Sequence, residues 1–183
     1  MKAWTPKNRT LVTVITALVV WGAFFYVVSP DALLARIGIG NAYAVSFFIS
    51  LLAGFSFLTG TAAYAAVIEF SRAGANPFYL GLIAGVGLFL SDSGFYLLLM
   101  RGRKALSGRI GGRFRRLHWY VEHLPHPFVY FGTFLFCAFG PIPNDAIIAV
   151  LIVAGYEYKK VWPALLAGDI TFMLFLSFLF SGG

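Results

Sequence analysis

Apolar residues run along this chain in long stretches, broken by a few short polar interruptions. Stretches at 11–29, 42–70, 78–100, 128–154 and 161–180 match or exceed the roughly 18 residues that mark a membrane-crossing helix. The runs are continuous, which favours helices over barrel strands that alternate over about ten residues. The first run stops at Ser29-Pro30-Asp31. The second is interrupted at Gly54 and again at Thr59-Gly60-Thr61, and a polar loop at 71–77 ends it. The third carries Ser91, Asp92 and Ser93 in its second half. The fourth is split by Gly140-Pro141-Ile142-Pro143-Asn144-Asp145, and the last contains Gly168-Asp169. Proline removes a backbone donor and disfavours helix in the residue before it, so 140–145 predicts a break.

Composition agrees with the pattern. Of 183 residues, 60% are apolar and 11% charged, whereas soluble domains are about a quarter charged. The net charge of +7 is concentrated, half of the basic residues lying in 101–116. With no aromatic-basic binding motif beside it, this run predicts an orientation signal and anionic-lipid contact rather than nucleic acid. Arg101, Arg103, Arg113 and Arg116 are its candidate headgroup contacts. Leu106, Ile110, Phe114 and Leu117 recur at helical spacing, as in an interfacial helix, although Gly108, Gly111 and Gly112 weaken it. Lys2, Lys7 and Arg9 precede a run longer than a signal-peptide core, which predicts a retained helix. The one cysteine, Cys137, lies in an apolar run and is given no role.

Basic segments stay in the cytoplasm, which places the N-terminus, the 101–116 run and Lys159-Lys160 on one side. An even number of crossings must separate them. The run at 42–70 then enters and leaves on one face, being too short for two spans of about 20 residues each. It predicts a re-entrant hairpin with its tip near Gly60-Thr61. The run at 128–154 must return likewise, with its tip at 140–145. The predicted fold is an all-α integral membrane protein, with three spanning helices plus two re-entrant helical hairpins in an inverted repeat. It is one transmembrane domain over 1–183: helix one (11–29), a hairpin-plus-helix unit (42–100), a basic interfacial linker (101–127) and a second unit (128–180). An internal echo at an offset of 81 accompanies this: Ala73-Gly74 with Ala154-Gly155, Gly87 with Gly168, and Gly60 with Pro141. Inverted repeats with broken helices build many secondary transporters. The predicted location is the plasma membrane, multi-pass, with a cytoplasmic N-terminus.

Non-helical backbone survives at membrane depth only inside protein or beside a wet cavity, so the second tip is the leading site. Its candidates are Gly140, Pro141, Pro143, Asn144 and Asp145. Asp145 is read as a proton-titrating or substrate-contacting carboxylate, because charge at bilayer centre costs about 2.5–3.5 kcal/mol on insertion scales. The competing reading is that Asn144 or Asp145 caps a half-helix starting at Ala146. Asp92 and Asp169 join the candidate pathway; the alternative for each is an interhelical hydrogen bond worth about 0.6–2 kcal/mol. Glu69 and Arg72, three apart, pair across one helical turn as a salt bridge or a gate. His118, Glu122, His123 and His126 lack the His-Glu-x-x-His order, and Pro125 breaks their helix, so no metal is expected. No catalytic triad, phosphate loop or Cys-x-x-Cys is present, and neither an enzyme nor a cofactor is expected.

Gly140-Pro141-Ile142-Pro143-Asn144-Asp145 resembles the Pro-x-Pro-(Ser/Gly)-(Glu/Asp) element of the DedA family, also called the VTT or SNARE-associated Golgi protein family. Ala154-Gly155 is similar to the Ala-Gly that follows there, and Ser91-Asp92-Ser93-Gly94-Phe95-Tyr96 resembles its Gly-Asp-x-x-x-Tyr stretch. The resemblance covers about two thirds of the chain. Members usually carry the Pro-x-Pro-acid element in the first hairpin, here occupied by Thr59-Gly60-Thr61-Ala62-Ala63-Tyr64, and the arginines of their second hairpin are missing near Asp145. Small multidrug-export proteins are similar at the same positions. The resemblance implies movement of lipids or lipid-linked phosphates between leaflets, proton-dependent in some members, with Asp145 and Asp92 as the acidic sites. The expected partners are membrane lipids, above all anionic headgroups, and protons; oligomeric state stays open, a homo-oligomer included. A small-molecule or ion exporter and a non-transporting assembly protein are the alternatives.

Overall fold

The computed structural model describes residues 38–53, 57–101, 125–140 and 144–182. Helix one, Pro141, Pro143, Arg103, Arg113, Arg116, His118, Glu122 and His123 lie outside these. The described chain is helical: α1 (Ile39–Leu51), α2 (Phe57–Arg72), α3 (Pro77–Arg101), α4 (His126–Phe139), α5 (Asp145–Val153) and α6 (Tyr158–Leu179). Two of these, α3 with 25 residues and α6 with 22, are long and apolar enough to cross a membrane. The other four have 13, 16, 14 and 9 residues, short of the roughly 20 needed to span.

Local chemistry starts and stops these helices. Asn76 Oδ1 accepts the N–H groups of Phe78 and Tyr79 at 3.0 and 3.3 Å, capping α3, and Pro77 fills the first helical position. Gly74 and Gly155 close α2 and α5 in the left-handed region, at φ +89° and +88°. Around them one hydrogen-bond set occurs twice, 81 residues apart. Ala73 N–H donates to Glu69 O at 3.0 Å, as Ala154 N–H does to Val150 O at 2.9 Å. Gly74 N–H donates to Ser71 O at 3.2 Å, as Gly155 N–H does to Ile152 O at 3.1 Å. Ala75 N–H donates to Phe70 O, and Tyr156 N–H to Leu151 O, both at 3.0 Å.

The two long helices form the central seam. A Cβ on Gly81 would lie 2.7 Å from Leu174 Cα, and one on Gly85 would lie 2.6 Å from Ile170 Cα. Four residues forward on α3 are four back on α6, so the pair is antiparallel and packs backbone to backbone. Each first arm lies on its own unit's long helix, α1 on α3 and α4 on α6. The second arms cross over: α2 reaches α6, and α5 packs on α3.

A second repeated contact fixes the first arms. A Cβ on Gly87 would meet Phe47 O, Ser50 Cβ and Leu51 N at 2.6, 3.1 and 3.3 Å. One on Gly168 would meet Phe134 O, Cys137 Cβ and Ala138 N at 3.2, 2.5 and 3.5 Å. The same three kinds of atom at the same spacing receive both glycines. The glycines keep the offset of 81, while the first-arm residues that receive them repeat at an offset of 87.

The outer ends of α1 and α2 and those of α4 and α5 lie at opposite ends of the long helices. At one end Asn76 N–H donates to Tyr43 Oη at 3.0 Å, Ser177 Oγ to Pro77 O at 2.8 Å, and Arg72 sits 5.1 Å over the Phe180 ring. At the other, Tyr96 Oη donates to Tyr156 O and Tyr158 Oη to Ser93 Oγ, both at 2.8 Å, and the His126 ring meets Tyr156 at 5.8 Å. One buried apolar cluster fills each half of the bundle. The first includes Ala63, Val67, Phe70, Leu80, Leu88 and Met173; the second includes Tyr96, Ile148, Leu151, Val161 and Leu165.

The first tip is not at Gly60-Thr61. Both lie inside α2, and the connection falls between Leu51 and Phe57, where the sequence has Gly54. A single interior glycine costs about 1 kcal/mol, which packed neighbours offset, and neither threonine removes a backbone donor. The helix break predicted over 140–145 is present: α4 ends at Phe139 and α5 begins at Asp145.

Candidate functional site

The second tip delivers Asn144 to the middle of both long helices. Its Nδ2 donates one hydrogen to Asp92 Oδ2 at 2.9 Å and the other to Asp169 Oδ1 at 2.8 Å. Two carboxylate oxygens can receive only the amide nitrogen, so the orientation of the Asn144 amide is fixed by its partners. Asp92 and Asp169 are 2% and 0% exposed. Helical side chains lean toward their own N-terminus, which lets acids on two antiparallel helices lean toward each other.

This overturns the capping reading of Asn144. It occupies the N-cap position of α5 with φ −57° and ψ −24°, already helical, and makes no side-chain cap bond. Two charged acceptors outcompete one backbone N–H for its amide. Asp145, the leading candidate from sequence, sits in the first turn of α5, where the helix dipole favours an acid. Half-buried, it is not one of the residues that Asn144 bonds.

Among the described residues no basic side chain pairs with either acid. The only ion pair among the described residues is Glu69–Arg72, at 3.3 Å and partly exposed at the end of α2, away from the acids. Asp169 Oδ2 is buried and has no hydrogen-bond partner among the described residues. Two carboxylates and one amide can share a proton or hold a small cation; the described residues contain no group of three His, Cys, Asp or Glu that would hold a metal ion. Tyr64, from the first hairpin, lies within electrostatic reach of Asp92, Asp169 and Asp145, with its ring 5.0 Å from Phe172.

The remaining candidates are placed apart. Gly140 ends α4 in extended conformation, φ −66° and ψ 137°, its N–H donating to Phe136 O at 2.7 Å. Arg101 is exposed in the last turn of α3. Sequence reasoning included Tyr96 within the stretch that carries the resemblance but gave it no role; its hydroxyl ties the Asp92 stretch to the turn after Ala154-Gly155. A polar residue one helical turn beyond Asp92 was the available signal. It also gave Cys137 no role, whereas Cys137 seats Gly168 beside Asp169. Compared with family models, curated proteins and solved structures, the chain finds no match.

Proposed function

We propose that this is an integral membrane transporter in which Asp92 and Asp169, bridged by Asn144, form a proton-carrying centre between two re-entrant hairpins. The observation that carries the reading is the bridge itself, in which three residues from three elements meet at mid-helix. Holding two uncompensated negative charges in a dry site is costly, so the centre has a standing use for one proton. Support for a membrane setting comes from the two long apolar helices and from outward Phe48, Leu98, Phe128 and Phe178. Arms of 9 to 16 residues suit hairpins that enter and leave one leaflet.

The cargo follows from the resemblance: lipids or lipid-linked phosphates passing between leaflets at the plasma membrane, gathered by the basic linker and Arg101. No covalent chemistry is assigned. A second reading, export of a small cation or cationic molecule, is favoured by the lack of a described basic partner for the two acids.

The test is the full chain in vesicles under an imposed pH gradient, with headgroup-labelled anionic lipid in one leaflet. Wild type should speed leaflet exchange, and Asp169→Asn and Asp92→Asn should each slow it about tenfold or more, the range for a lost proton-transfer group. Exchange that is gradient-independent and unchanged in both variants sinks the proton centre. If no lipid moves, uptake of a fluorescent cation decides for the second reading.

A further inference from the structure

The repeat at offset 81 assigns the acid centre a counterpart. Asn144, Asp169 and Asp92 fall on Ala63, Leu88 and Met173. These three are 1%, 3% and 0% exposed and belong to one buried apolar cluster. One half of the bundle therefore has a polar knot where the other has a dry one.

A second observation lies in the same half. Ser46, Ser50 and Ser71 are each at most 1% exposed, and their hydroxyls have no hydrogen-bond partner among the described residues. All three lie on the first hairpin, at successive depths. Ser71 adjoins Arg72 at the open end. Ser46 is one turn beyond Tyr43, whose hydroxyl meets Asn76. Ser50 packs at Gly87, next to Leu88. A buried hydroxyl without a partner carries a desolvation cost that entering water removes. Three such hydroxyls lie on α1 and α2.

Resting on the transport reading, we propose that Ala63, Leu88 and Met173 form a closed apolar gate on a water path running from the Arg72–Phe180 end, past Ser71, Ser46 and Ser50, to the acid centre. Opening the gate hydrates the serines and gives Asp92 and Asp169 access to the side opposite the second hairpin's mouth. Inverted repeats exchange such roles as the two sides alternate. The ligand of the path is water, and the cargo that moves along it is the proton.

The experiment uses the full chain in vesicles holding a pH-sensitive dye, with no transport substrate added. Met173→Gln and Leu88→Asn keep side-chain volume and place an amide in the gate. Each should raise substrate-independent proton entry about tenfold, since burying an unpaired polar group disfavours the closed state by that order. Adding Asp169→Asn should return entry to the wild-type level, because the path ends at the acids. A second arm replaces the native thiol and reads the path itself: Ser50→Cys in a Cys137→Ala background. Its labelling by a membrane-impermeant thiol reagent should be slow, and at least several-fold faster with Met173→Gln. Proton-tight vesicles from folded gate variants overturn the gate, as does Ser50→Cys labelling that Met173→Gln leaves unchanged. Entry that persists in the Asp169→Asn double variant overturns the path to the acids. The transport reading is judged separately, by lipid or cation movement in Asp169→Asn alone.

Discussion

The two hairpin-plus-helix units share a scaffold and differ in what they bury. Both end the second arm on a left-handed glycine with the same three backbone bonds, and both seat a glycine of the long helix on the same atoms of the first arm. At the positions related by the offset of 81 they part. The first unit places Ala63 in an apolar cluster with Leu88 and Met173, and the second aims Asn144 at Asp169 and Asp92. Backbone geometry is thus maintained independently of site chemistry. Small residues hold the scaffold by close approach, which on the membrane reading proposed above is how helices in lipid must pack, since they gain nothing there from hydrophobicity. The polar centre needs only one unit to supply it.

Substitutions can break or sharpen this comparison. The largest effect is expected where the units meet. Gly85→Leu puts a side chain onto Ile170 Cα and should destabilise by about 3 kcal/mol or more, read as loss of a single gel-filtration peak in detergent. A stable, monodisperse Gly85→Leu would mean that the seam is looser than described. Next comes the site. Asn144→Ala leaves both carboxylates without a donor and should cost roughly 2–3 kcal/mol in thermal unfolding, near the upper range for a bond to charge. Ala63→Ser in the sister position should cost under about 1 kcal/mol, since a hydroxyl can bond its own helix backbone. Equal costs would erase the distinction between polar and dry halves. The turns come third. Gly74→Ala and Gly155→Ala should each cost about 1–2 kcal/mol, the left-handed penalty, and should agree with each other. A wide disparity would reduce the repeat to a resemblance of sequence. The smallest effect belongs to Glu69→Gln, whose pair with Arg72 is partly exposed and should contribute about 0.5 kcal/mol or less, fading with salt.

The all-helical character of the described residues, the break over 140–145 and the echo at 81 could be read from the sequence, because proline and long apolar runs act locally. The first tip could not. Thr59-Gly60-Thr61 has the composition of a turn yet stays helical, since tertiary packing outweighs a penalty of about 1 kcal/mol. Asp92 and Asp169 were identified as costly acids in apolar helices, but their pairing depends on the antiparallel seam, a long-range fact. For the same reason Asn144 looked like a cap: its distant partners lie 52 and 25 residues away. The dry counterpart carries no polar signal at all, and alanine, leucine and methionine are visible as a site only through the repeat.

The glycine seam also limits where motion can arise. At Gly81 and Gly85, α3 contributes no side chain to the contact, so the Leu174 and Ile170 backbone of α6 comes directly against it. On the transport reading proposed above, the long helices serve as a stiff spine, and a shape change falls to the shorter helices packed on it. A covalent tether across the spine should be harmless to the working cycle. One that pins a hairpin to the spine should freeze it.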